Sequence, residues 1–110
     1  MAKSKAVYLA ALAPLGNALM AEGEGCALIG RKGAGRSWIG QFGPAASPIH
    51  IAWRAETRAQ VHDFRKAALA AGGRDNGAPG PRVQYAPDYY AAFVIDPDGD
   101  NVEAVTFAAT

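Results

Sequence analysis

The stretch Tyr89-Tyr-Ala-Ala-Phe-Val-Ile-Asp-Pro-Asp-Gly99, continued as Asp100-Asn-Val-Glu-Ala-Val-Thr-Phe107, carries two strand patterns around one turn. Asp96-Pro97-Asp98-Gly99-Asp100 is the turn. Pro97 presets φ, Asp98 is expected to bond nearby backbone, and Gly99 suits a positive φ. Tyr89 to Asp96 and Asn101 to Ala108 are the predicted strands. Alternation puts Glu103, Val105 and Phe107 on one face of the second strand and Val102 and Ala104 on the other. Apolar residues on both faces imply a strand covered on both sides. A carboxylate there is costly unless it is paired or binds a metal.

Upstream, Pro48 to Arg54 reads as a strand with Ile49, Ile51 and Trp53 on one face and His50 and Ala52 on the other. A helix follows. Thr57 and Gln60 form a capping box, Val61, Phe64, Ala68 and Ala71 give its buried stripe, and Gly72-Gly73 stops it. His62 lies about 100° around this helix from Val61, a solvated or boundary position. Asp75 to Pro81 is expected to be loop and Arg82 to Tyr85 a short strand. Towards the N-terminus, Ser4 to Leu15 reads as a helix with Ser4 as N-cap. Tyr8, Ala11, Leu12 and Leu15 share one face, and Pro14 and Gly16 end it. Three strands are expected after it, at Asn17–Ala21, Gly25–Arg31 and Ser37–Phe42. A turn at Gly30–Arg36 and a linker at Gly43–Ser47 complete the order. Helix and three strands are thus followed by strand, helix and three strands. The halves would match if one strand preceded Ser4.

A chain of 110 residues is one domain. Apolar residues at 50% and charged residues at 19% are ordinary for a globular protein, and the net charge of +1 advertises no polyanionic partner. Arg31, Lys32 and Arg36 cluster among glycines without interleaved aromatics, so nucleic-acid binding is not expected. The same glycine-rich run fits neither a phosphate loop nor a dinucleotide fingerprint. No apolar stretch is long enough to span a membrane. The lone Cys26 fits a reducing, cytoplasmic setting and reads as a buried, inert thiol. Met1 to Ala13 imitates a short secretory signal, but Pro14 directly after its small-residue site and the Ser4 cap favour a helix of the mature domain.

His50 and Glu103, each mid-strand, are the candidates for chemistry. Facing one cavity they could hold a divalent ion, although two ligands are an incomplete set. The alternative is that they are exposed or hydrogen-bonded to each other. The run Asp96 to Glu103 is not a calcium loop, because its glycine falls two places early and Phe107 occupies the bidentate position. No serine has the neighbourhood of a nucleophile.

Several of these stretches together resemble the vicinal-oxygen-chelate superfamily (glyoxalases, bleomycin-resistance proteins and extradiol dioxygenases). They are Pro48-Ile-His-Ile-Ala-Trp53, the capped helix through Phe64, Ala70 to Gly80, Tyr89 to Gly99 and Asn101 to Val105. Ser4 to Gly16 is similar to the family's first helix. The resemblance implies an α+β fold of paired β-α-β-β-β modules, forming a cupped mixed sheet with two helices outside. Here 1–45 would be a first module lacking its first strand and 46–110 a complete second one. It implies His50 and Glu103 as ligands of zinc, nickel, manganese or iron, with Glu103 doubling as proton shuttle. Gln41 stands near the place of a further ligand. Trp38, Gln41, Arg82, Tyr85, Tyr89 and Tyr90 would line the substrate cup. Two readings follow: a metal-dependent lyase, isomerase or dioxygenase acting on a small vicinal-oxygen compound, or a metal-free protein that sequesters a small aromatic or cationic ligand. The missing strand leaves a free sheet edge, so a homodimer is expected.

Overall fold

The computed structural model describes residues 2–31, 36–40 and 49–110. The glycine-rich turn at 32–35, Gln41 and the expected linker lie outside them, as do the side chains of Arg36 and Trp38.

Helix α1 (Ala2–Leu12) runs into a 3-10 turn (Ala13–Leu15). Its buried residues Ser4, Val7, Tyr8, Ala11 and Leu12 recur at helical spacing, as the sequence predicts. Pro14 enters the 3-10 turn, and Gly16 closes it with φ +88° and an N–H bond to the Ala13 carbonyl. Ser4 is not the expected N-cap. The helix begins earlier, so Ser4 sits inside it, buried, and its hydroxyl donates to Asp98 Oδ2 at 2.9 Å.

Three strands follow: β1 (Ala18–Gly23), β2 (Cys26–Gly30) and β3 (Arg36–Gly40). They pair antiparallel in the order β1-β2-β3, with an irregularity between Leu19 and Ala21. Cys26 is half-buried, less enclosed than its apolar run suggests, because it opens the strand beside the turn.

The second set is β4 (His50–Arg54), α2 (Arg58–Ala70), β5 (Arg74–Pro81), β6 (Tyr90–Ile95) and β7 (Asn101–Thr106). Its sheet has the order β4-β7-β6-β5, with β4 parallel to β7 and the other pairs antiparallel. Two corrections fall here. The stretch expected to be loop is strand β5, and the stretch from Arg82 expected to be a strand is a turn, with Tyr85 N–H bonded to the Arg82 carbonyl at 3.0 Å. β5 is an edge strand, so Pro79 and Pro81 need not donate to a second neighbour. Its register shifts around Gly77, whose φ is +152°.

Thr57 caps α2, its hydroxyl accepting from Gln60 N–H at 3.2 Å. The reciprocal bond goes one residue further back, from Glu56 N–H to Gln60 Oε1 at 2.7 Å. α2 lies on β5, β6 and β7, and α1 packs along α2. Phe64, Val61, Leu12, Leu15, Ile29, Val94 and Ala104 form the core between helices and sheet. No described helix is long and apolar enough to cross a membrane.

The turn between β6 and β7 is organised by Asp96, not Asp98. Asp96 Oδ1 accepts from the N–H groups of Asp98 and Asp100 at 2.9 and 2.8 Å, and Oδ2 accepts from the Tyr8 hydroxyl at 2.7 Å. Burial, and then Asp96, hold the Tyr8 phenol far above its ordinary range. This buried bond and the one from Ser4 tie α1 to the hairpin.

Candidate functional site

One face of the four-stranded sheet carries the helices; on the other, β4 presents exposed residues while Ala91, Phe93, Glu103 and Val105 are buried. Alternation along β4 turns Ile51 and Trp53 toward the core and His50, Ala52 and Arg54 away from it. On β7, Val102, Ala104 and Thr106 face the helices, while Glu103 and Val105 face the other side with Phe93 and Ala91 of β6. The parallel register pairs Ala52 with Glu103 and so sets His50 diagonally across from the carboxylate.

His50 and Glu103 meet as the sequence anticipated. His50 Nε2 lies 2.6 Å from Glu103 Oε1, and Oε2 accepts from the Tyr89 hydroxyl. Glu103 is 1% exposed, whereas the His50 side chain is half exposed. A buried carboxylate whose two oxygens each have a donor avoids the cost of burying an unpaired charge. An ionised Glu103 only accepts, so in that state His50 donates from Nε2 and its Nδ1 is left for another partner. Burial first, then the bond to Glu103 and its charge, push the Tyr89 phenol up to about 12. Tyr89 therefore remains a donor at neutral pH.

Aromatic rings frame this relay. The Phe93 ring lies 5.9 Å from that of His50, centroid to centroid. Tyr89 packs on Tyr85 at 5.1 Å and meets Phe107 edge-on at 5.4 Å. Arg82 stacks over Phe93 at 5.3 Å and donates to the Ala78 and Gly80 carbonyls, which braces the irregular end of β5. Arg54 lies over Phe107 at 5.1 Å.

Of the residues expected to line the cup, Tyr85, Tyr89 and Arg82 are on this face. Tyr90 is not. It points to the helices, with Arg58 over its ring at 4.5 Å and its hydroxyl 2.6 Å from His62 Nε2. The tyrosines are sequence neighbours, so they take opposite faces. Gln41 and the Trp38 side chain lie outside the described residues. Arg54 and Phe93 were not singled out from the sequence. For Arg54 the signal was present, since it follows His50 at i+4 on a strand. A cavity of about 690 Å³ lies elsewhere, among Ala2, Lys3, Ala6, Ala71, Gly72 and Pro97, without converging polar groups.

Does this donor set fit a divalent ion? Among the described residues no three His, Cys, Asp or Glu side chains converge. The two that do meet are bonded to each other, and the second carboxylate oxygen is taken by Tyr89. A closed zinc site uses four ligands and a catalytic one three. The described residues do not make such a site by themselves.

The chain matches a glyoxalase/bleomycin resistance protein from Albidiferax ferrireducens T118 with a TM-score of 0.79 and 26% identity, covering 96% of this chain and 88% of that one. The fold is that of the vicinal-oxygen-chelate superfamily. A glyoxalase/bleomycin resistance protein/dioxygenase family enzyme from Burkholderia phytofirmans PsJN shares the vicinal-oxygen-chelate architecture at a TM-score of 0.70 and 17% identity, over 97% of this chain and 90% of that one. So does a glyoxalase-related enzyme from Fulvimarina pelagi, at a TM-score of 0.69 and 17% identity, over 96% and 79%. No protein-family model matches the sequence, and no curated protein does. In vicinal-oxygen-chelate terms, β4, α2, β5, β6 and β7 are one complete β-α-β-β-β module. α1 with β1, β2 and β3 has the same order without a counterpart of β4 among the described residues.

Proposed function

We propose that this chain is a small-molecule binding protein of the bleomycin-resistance kind, which holds its ligand by stacking and hydrogen bonding instead of metal chelation. The observation that supports it is the engagement of Glu103: each oxygen already has a side-chain partner, one in His50 and one in Tyr89. A hydrogen bond to a charged group contributes about 1.5–3 kcal/mol, and an ion ligated by His50 Nε2 must break the one between His50 and Glu103. His50 Nδ1, Tyr85, Tyr89 and Phe107 are then the groups offered to a ligand.

Metal analysis tests this. The protein is dialysed against zinc, nickel, manganese or ferrous ion in turn, desalted and assayed for bound metal. Substoichiometric metal in every case is the expected result.

The meeting of His50 and Glu103 from adjacent strands favours a second reading, a metal-dependent lyase, isomerase or dioxygenase acting on a small vicinal-oxygen compound. Stoichiometric metal that disappears in His50→Ala would establish that reading and overturn the first.

A further inference from the structure

We propose that the exposed aromatic edge of the four-stranded sheet, formed by Tyr85 and Phe107 beside Arg54, selects a planar anion, an aromatic carboxylate, and that Arg54 holds its carboxylate group. The inference rests on the binding reading above and specifies its ligand class.

The exposed part of the face lies along β4 and beside Tyr85 and Phe107. Ala52 and Arg54 on β4 stand beside Glu103 and Val105 on β7, and Val105 pairs on its other side with Ala91. Val105 and Ala91 are buried beneath Tyr89, and Ala52 is the small exposed residue between His50 and Arg54. His50 stands at one end and Arg54 at the other, four residues apart on one strand, roughly 13 Å of backbone. Around the Arg54 end, Tyr85 is 62% exposed and Phe107 37% exposed. Such an exposed aromatic patch suits stacking against a flat ring.

The charges on this face decide the sign of the ligand. Glu103 is buried beneath the surface, with both oxygens occupied. Arg82 has donors satisfied by backbone carbonyls, which leave its positive charge in place. Arg54 is exposed and, among the described residues, has neither an ion pair nor a hydrogen bond; only the Phe107 ring lies beneath it. Two guanidinium groups therefore face one sequestered carboxylate. A cationic ligand would meet net repulsion. A carboxylate can accept both N–H groups of the Arg54 fork at once, and the Phe107 ring 5.1 Å away supports the guanidinium there. His50, oriented by Glu103, offers Nδ1 to a polar substituent on the ring.

NMR chemical-shift titration with benzoate, benzamide and benzamidine tests the idea, because the three share a ring and differ in charge. Benzoate should bind, benzamide about tenfold more weakly, and benzamidine not at all. Arg54→Gln should lower benzoate affinity to that of benzamide and leave benzamide unchanged. Arg54→Lys, a point charge without the fork, should fall between. Arg54 is exposed, so both variants should keep the wild-type circular dichroism. Benzamide or benzamidine binding as tightly as benzoate overturns the proposal and spares the binding reading. So does unchanged benzoate affinity in Arg54→Gln. Failure of all three probes to bind overturns the proposal, and the metal analysis above then judges the binding reading by itself.

Discussion

Glu103 persists in a nearly dry position because Tyr89 and His50 both reach it. Tyr89→Phe keeps the ring, and so its packing on Tyr85 and Phe107, but leaves Oε2 without its donor. The expected cost is about 1–3 kcal/mol of unfolding free energy, measured by urea denaturation at neutral pH. A pH signature should accompany it. The Tyr89 phenol is raised from an ordinary 10.0 to about 12, and Tyr8 is raised further still by burial and Asp96. A group whose pKa is higher folded than unfolded contributes stability that is complete below the unfolded value and lost as pH rises through the folded one. The urea midpoint should therefore hold up to pH 10 and then fall, with Tyr89 losing its contribution between pH 10 and about 12. In the double variant Tyr8→Phe/Tyr89→Phe this fall should be shallower. An equally steep fall would show that neither bond is made.

Among the elements, α2 and β5 show how unevenly local sequence controls local structure. α2 is specified by its own residues: the Thr57 cap, the stripe through Val61, Phe64 and Ala68, and the Gly72-Gly73 stop. Thr57→Ala should cost about 1 kcal/mol in thermal or urea unfolding, because the Gln60 N–H loses its acceptor at the first turn. A loss near zero would mean that Gln60 and Glu56 hold the turn unaided. β5 is the opposite case. Arg74-Asp-Asn-Gly-Ala-Pro-Gly-Pro81 has the composition of a loop, with six turn-forming residues and a single apolar one, Ala78. It is a strand because β6 presents a hydrogen-bonding edge beside it, and because an edge strand tolerates proline and register shifts.

At the scale of the whole molecule, the two sets of elements are joined by α1 on α2, by Tyr8 and Ser4 on the hairpin aspartates, and by Arg31 with Glu56 at 3.0 Å. The β3 strand pairs with β2 alone among the described residues, and its other edge has no described strand beside it. We propose a second copy of the chain as the occupant of that edge. Light scattering at micromolar concentration should give twice the chain mass, and a monomeric mass would overturn the dimer.

The sequence alone determined the two helices, their buried stripes and the alternation of β4 and β7. Period and capping are local properties, and each residue there carries its own signal. It also brought His50 and Glu103 toward one site, since alternation put each of them opposite an apolar set. Three things waited for the tertiary structure. Which of Tyr89 and Tyr90 faces the relay could not be read, because Tyr-Tyr-Ala-Ala-Phe-Val is apolar throughout and gives its two faces no contrast. That β5 is a strand depends on the edge supplied by β6. And the bonding of both Glu103 oxygens depends on the register among β4, β7 and β6, which only the assembled sheet sets.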